Sequence, residues 1–372
     1  MTKILASILF LFISSFNAFS QDTRKVQVAI LFDTSNSMDG LLEQAKSRIW
    51  NIINDVSALT YQGKAPTMEF AIYQYGNDGL ESSDNFIQQV LNLTGDMDII
   101  SQKLFSLRTN GGSEYCGAVI GKSLDDLKWS NSPLDLKMIY IAGNENFAQG
   151  PISYIEECKK AIAKGVFINT IFCGDKSQGV KLFWEKGAQC SEGDYFNIDS
   201  NREVVQIDTP YDDKIMQYND SLNGTYYGFG QQGMSRKSSQ MDEDFNATEQ
   251  SMSVAADRAV VKSKSQVYTN SSWDLIDAID NNTIILKDMK EDDLPKEFRN
   301  KSLIEKNILL EVKKNERTIY QKQIATLAQK REAYIKVEKA KTTLGTDDFG
   351  TSVSKSIQTK AKIIGFNTVS PK

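Results

Sequence analysis

Between residues 25 and 200 the apolar positions alternate between two periods. Short runs rich in β-branched and aromatic residues at 26–32, 68–75, 138–142 and 166–172 predict strands. Stretches at 41–59, 97–107, 115–127, 152–163 and 180–188 carry apolar residues three and four apart and predict helices. Such alternation predicts an α/β fold, a doubly wound, mainly parallel sheet covered by helices on both faces. The segment 85–93 is expected to add a strand beside 68–75 through the turn at Gly76-Asn77-Asp78-Gly79, as the antiparallel exception. In open sheets of this kind ligands bind beyond the carboxyl ends of the strands, where the winding reverses.

After about residue 200 the pattern changes. Residues 211–270 are rich in Gln, Ser, Asn, Asp and Tyr, and Gly228, Gly230 and Gly233 interrupt them, so the segment reads as a helix pair broken by a flexible loop near 224–237. The glycines satisfy G-x-G-x-x-G, but no apolar strand precedes them and no acidic residue follows in a βαβ unit, which argues against a nucleotide site. A short amphipathic segment is expected at 274–278. From 301 to about 342 strong helix formers dominate and predict one long helix ending at Gly345, with a last short helix at 352–364. Its apolar spacing is irregular, with Arg331 where a heptad would place Leu, so it is expected to lie against upstream segments rather than form a free-standing coiled coil. The expected organisation is a leader at 1–20, an α/β domain at 25–200, a mixed helical and loop region at 201–300, and the long helix and tail at 301–372.

The leader changes the compartment. Lys3, an apolar stretch from Ile4 to Phe19 and Ala18-Phe19-Ser20 before a polar segment read as a cleaved secretory signal cut before Gln21. No later stretch approaches the run of apolar residues that a membrane span needs. The mature protein is therefore expected to be exported, periplasmic or extracellular, with no integral membrane segment. The 372 residues carry a formal charge of −5, which argues against a nucleic-acid partner. There is no histidine, which removes Ser-His-Asp and Cys-His activation and histidine zinc sites. Hydrolysis would need a Ser-Lys pair or paired carboxylates, and no spacing singles one out. The four cysteines, Cys116, Cys158, Cys173 and Cys190, are either disulfides or buried thiols. From the strand ends, a Cys116–Cys173 bridge is geometrically easier than Cys173–Cys190.

Candidate chemistry sits where the first strand ends. Asp33-Thr34-Ser35-Asn36-Ser37 places a carboxylate and two hydroxyls at alternate positions, the oxygen ligands that a hard divalent cation such as Mg²⁺ takes. One charged and two neutral ligands would leave the cation positive and attractive to a further carboxylate. The same residues also form hydrogen-bonded turns with no ion. Asp33 itself is expected on a surface loop.

With this motif and the alternating pattern, residues 25–200 resemble a von Willebrand factor type A domain. The resemblance implies a metal-ion-dependent adhesion site made by an Asp-x-Ser-x-Ser loop, a Thr or Ser on a second loop and an Asp on a third. Asp33, Ser35 and Ser37 match the first loop, and Gly111-Gly112-Ser113-Glu114 resembles the second, with Ser113 in the Thr position. The third loop departs from the family. Ile141-Ala142-Gly143-Asn144-Glu145-Asn146 puts Gly143 where Asp usually stands, and Asn144 or Glu145 replaces it if the loop shifts by one residue, with Glu114 also near. The expected metal set is Asp33, Ser35, Ser37, Ser113 and Glu145, holding Mg²⁺ or another divalent cation. The C-terminal half is similar in layout to exported bacterial proteins that append a helical tail to such a domain. The implied function is a non-enzymatic protein-binding module that engages an acidic side chain of a partner protein. The alternatives are a structural envelope-assembly component with a degenerate metal site and, further off, a hydrolase.

Overall fold

The computed structural model describes residues 24–199, 207–341 and 349–368. In chain order the first part contains β1 (Lys25–Asp33), α1 (Leu41–Val56), β2 (Leu59–Thr60), β3 (Thr67–Tyr75), β4 (Ile87–Thr94), α2 (Met97–Ser106) and α3 (Cys116–Asp126). It continues with β5 (Leu136–Gly143), α4 (Tyr154–Lys164), β6 (Val166–Cys173), α5 (Lys176–Lys181), α6 (Trp184–Gln189) and β7 (Tyr195–Ile198). The later part contains α7 (Asp212–Asn223), α8 (Gly230–Gln250), α9 (Met252–Lys262), α10 (Leu275–Asp280), α11 (Leu303–Lys341), α12 (Phe349–Ile364) and β8 (Asn367–Thr368).

Six strands form one sheet in the order β4-β3-β1-β5-β6-β7, parallel except for β4, which pairs antiparallel with β3. Central strand β1 is apolar almost throughout because both of its faces are covered. Val26, Val28, Ile30 and Phe32 face a core built with α1 and α2, while Ala29 and Leu31 face a second core with α3, α4 and Trp184. β3 lies on one side of β1 and β5 on the other, so the winding reverses beside β1 and Asp33 ends the strand at that switch.

The two cores decide the disulfide. Cys173 packs in the first core and Cys116 in the second, so the sheet separates them. The expected preference for Cys116–Cys173 is corrected: Cys158 on α4 and Cys190 after α6 lie on the same face and are bridged, with Cα atoms 5.7 Å apart, while Cys116 and Cys173 are buried free thiols. The helix expected over 180–188 is two short ones, because Phe183 takes a positive φ of 70° between α5 and α6. β7 is a strand that the periodicity did not indicate.

The loop expected near 224–237 is largely helix. α8 begins at Gly230, and Gly228 and Gly233 allow close backbone contact: a Cβ on Gly228 would lie 2.3 Å from the Gly233 carbonyl oxygen. The inner face of α8 is polar, which hid its amphipathic character. Asp244 accepts from Asn219 (2.8 Å), Asn223 (2.7 Å), Arg258 (2.9 Å) and Lys262 (2.5 Å), and Gln240 donates to Tyr268 (2.8 Å). Arg258 also reaches Asp98 of α2 at 2.6 Å, which ties the helical region to the sheet domain. On α11 the residues that spoil a heptad are buried contacts. Arg331 pairs with Asp212 (2.7 Å) and Asp257 (2.8 Å), and Arg317 with Asp274 and Asp277 (both 2.8 Å).

The last described helix returns to the sheet. Val353, Ile357 and Ala361 of α12 are buried in the first core, Phe349 packs on Phe196 of β7, and β8 pairs with β2. Thus α12 covers the sheet beside α1, although the whole of α7 to α11 separates it from β7 in the chain. The expected leader at 1–20, the boundary near residue 200 and the helix stop at Gly345 lie outside the described residues.

Candidate metal centre

Parallel pairing brings the carboxyl ends of β1, β3 and β5 to one rim, with Asp33 beside Tyr75 and Phe32 beside Ala142. Three loops converge there. Thr34 N donates to Tyr75 O (2.8 Å) and Asn110 N to Thr34 O (2.9 Å), which docks the second loop on the first. Gly112 sits where a Cβ would lie 2.3 Å from the Gly76 carbonyl oxygen, so only glycine lets these two backbones meet.

Asp33 is fully buried at the strand end, which corrects the surface-loop expectation. Its Oδ1 accepts the Ser35 N–H at 2.8 Å, while Oδ2 is buried with no hydrogen-bond partner. Burial pushes the carboxyl up to about 7; the Ser35 N–H and hydroxyl pull it back, and the Glu114 and Glu145 charges add to the rise. Ser35 is buried as well, whereas Ser37 is exposed, so the site opens to solvent on the Ser37 side.

The hydroxyls are short of protons. Asn144 Nδ2 donates to the Ser37 carbonyl (2.9 Å), which fixes the amide so that its Oδ1 faces Ser37 Oγ at 2.9 Å and accepts from it. Ser37 then has no proton for Ser35 Oγ, 2.9 Å away. Ser35 Oγ has a single proton to serve Ser37 Oγ and the Asp33 carboxylate beside it. More acceptor oxygens meet here than hydroxyl protons can serve, and one buried carboxylate oxygen is left over. A divalent cation is the ligand that such an oxygen-rich, proton-poor set fits. Among the described residues no three carboxylate or thiol groups gather as a metal cluster, so hydroxyls must complete any such set.

The structure brings Asp33, Ser35 and Ser37 together and places the other two expected residues at the margin. Ser113 is partly buried on the docked second loop, and its hydroxyl has no hydrogen-bond partner among the described residues. Glu145 is exposed, and its backbone oxygen accepts from Trp184 Nε1 at 2.7 Å. The side chain that takes the third-loop contact is Asn144. Residues without a motif shape the floor: Tyr75 Oη donates to Ala142 O (3.0 Å), and Gln149 Nε2 donates to Glu114 Oε2 (3.0 Å). No short sequence pattern marks Tyr75 or Gln149, because they come from the sheet and from the far end of the third loop.

No family model matches the chain, and no curated protein matches it. Solved structures similar to it include proximal thread matrix protein 1 from the mussel byssus with a zinc-occupied MIDAS motif, 15% identical over 52% of this chain and 44% of that one (TM-score 0.36). Also similar are BatB from Bacteroides thetaiotaomicron, 18% identical over 47% of this chain and 91% of that one (TM-score 0.35), and the SpRpn10 VWA domain, 18% identical over 49% and 91% (TM-score 0.35). The chain spans less than half of the mussel protein's length, at 44%. The first half of the chain has the helix-covered, mainly parallel sheet that the resemblance to a von Willebrand factor type A domain implies.

Proposed function

We propose that this is an exported protein-binding module that holds a divalent cation, Mg²⁺ or a similar ion, at the β1 rim and uses it to engage a carboxylate of a partner protein. The observation that carries the reading is the buried, unpartnered Asp33 Oδ2 within a set of oxygens that outnumber their protons. When bound, the cation supplies a Lewis-acidic position for an incoming anionic oxygen. Asp33 supplies the anionic ligand, Ser35 and Ser37 the neutral ones, and Ser113 a hydroxyl from the second loop. Glu145 stands at the solvent edge as a candidate second carboxylate. Exposed Ser37 and Glu145 leave the approach open to a large partner. Among the described residues no helix is long and apolar enough to cross a membrane.

The test is calorimetry with Mn²⁺ and Mg²⁺ on the unmodified protein and Asp33→Asn, together with capture of a partner from envelope extract with and without chelator. Cation binding and capture should both disappear in the variant and in chelator. A second reading rests on the paired Asn144–Ser37 hydrogen bonds, which close the loops with no ion. Absence of cation binding at millimolar concentration, with capture that survives chelator, would establish that structural role instead.

A further inference from the structure

In the family pattern the third loop brings a second carboxylate, and here position 143 is closed to one. A Cβ on Gly143 would lie 2.6 Å from Tyr75 Oη, 3.0 Å from the Trp184 ring and 3.1 Å from Asp33 Cβ. The question is which residue carries that charge. This inference rests on the cation-site reading above.

We infer that Glu114, on the second loop, supplies the second carboxylate of the cation site, and that the third loop serves to hold it in place. Three observations converge. Gly76, with φ at +74°, separates the two acids: a Cβ there would lie 2.9 Å from both Asp33 Oδ1 and Glu114 Cγ. The two side chains therefore flank the same point on the β3 loop, and glycine keeps the space between them free of a side chain. From the other side Gln149 Nε2 donates to Glu114 Oε2 at 3.0 Å, which holds that carboxylate from the third loop. Next to it, Gly150 at φ +96° lies where a Cβ would come 2.5 Å from the Tyr115 ring, so the end of the third loop wraps the second.

The unpartnered Asp33 Oδ2 needs a positive charge, and Glu114 shares that need. Two carboxylates held close without a cation repel each other, and a divalent ion between them balances both charges. Glu145 lacks these restraints: it is exposed, and its carboxylate makes no hydrogen bond among the described residues. The third loop has exchanged a ligand for an outer-sphere amide, since second-shell hydrogen bonds of the Gln149 kind orient a ligating carboxylate.

The experiment is Mn²⁺ calorimetry on the full mature chain, with melting in chelator to confirm that each variant folds. Glu114→Gln should weaken Mn²⁺ binding roughly tenfold or more, the scale on which even outer-shell partners tune metal sites, and by more than Glu145→Gln does. Gln149→Leu frees the carboxylate without removing it and should weaken binding by a smaller factor, which keeps the test open if Glu114→Gln does not fold. Unmodified protein that binds Mn²⁺ while Glu114→Gln binds equally well overturns the assignment and leaves the cation reading standing. Weakening by Glu145→Gln alone overturns it in favour of the exposed acid. No Mn²⁺ binding by the unmodified protein overturns the cation reading and the Glu114 assignment together.

Discussion

Gly143 packs directly beneath Tyr75, so close that a single added Cβ would lie 2.6 Å from the phenol oxygen. Tyr75 cannot retreat, because it is fully buried and its hydroxyl donates to Ala142 O at 3.0 Å. A carboxylate at position 143, which the resemblance implies for the third loop, is therefore excluded by packing in the floor of the site.

Gly143→Asp should consequently fail to improve cation binding. It should also destabilise the domain by ~1–3 kcal/mol, the usual cost of overpacking a tight core. Gly143→Ala shows the same sign, and adding Tyr75→Phe relieves part of it by removing the clashing oxygen. Denaturant unfolding of the single and double variants measures the relief; an unperturbed Gly143→Asp protein that binds Mn²⁺ more tightly would refute the packing argument.

The Cys158–Cys190 bridge staples α4 to the end of α6 on the second core, closing a sequence separation of 32. Replacing both cysteines by serine should lower stability by ~2–4 kcal/mol through a less constrained unfolded chain. Peptide mapping without reductant should recover that bridge and two free thiols at Cys116 and Cys173. A map with any other pairing contradicts the separation of Cys116 from Cys173 by the sheet.

Arg258 holds two carboxylates from different parts of the chain, Asp98 of α2 and Asp244 of α8, and is almost fully buried. Arg258→Ala leaves Asp98 without its cation and Asp244 with Lys262 alone, and breaking a buried pair in this way costs about 3–5 kcal/mol. Replacing Arg258 and Asp98 together by apolar residues of similar size, which leaves Asp244 paired with Lys262, should recover most of the loss. Equal losses for the single and double variants would mean that the charges matter for something other than mutual compensation.

What the sequence made legible was local. The apolar run ending in Asp33, the strand and helix alternation, and the antiparallel edge beside 68–75 are all carried by short-range periodicity, and the observed sheet has that layout. What was hidden depends on long-range contact. The second helix of the pair expected over 211–270 begins earlier than its pattern indicates, at Gly230, and its inner face carries Gln240 and Asp244, whose partners are on α7, α9 and Tyr268. The place of α12 on the sheet cannot be read from its own residues, since Phe349 meets Phe196 across more than a hundred positions. Asp33 looked like a loop residue because it is charged; it is buried because the two loops that dock over it come from elsewhere. Glu114 was visible only as a neighbour, and the Gly76 and Gln149 contacts that restrain it belong to other loops.

The contact between α1 and the helices that cover it should be pH-dependent through Asp55. Ser354 of α12, Lys264 after α9 and Glu332 of α11 face this carboxyl, and burial pushes it up from 3.8 to about 7, with Ser354 and Lys264 pulling it back and Glu332 adding to the rise. The unfolded chain loses the Asp55 proton near pH 4, whereas the folded chain keeps it to about pH 7. Folding therefore takes up a proton in that window, so the stability linked to Asp55 is full below about pH 4 and is lost as the pH rises to about 7. Lys264 has the opposite slope at higher pH: burial lowers it to about 8, so the unfolded chain holds the extra proton above that value and stability recovers as alkali removes it. Asp55→Asn removes the first slope. It should exceed the unmodified protein in unfolding free energy by about 1–3 kcal/mol at pH 8 and match it near pH 4, less whatever Lys264 loses with its counter-charge. Urea unfolding at several pH values reads this directly, and parallel curves for the two proteins would show that Asp55 ionises freely at this interface.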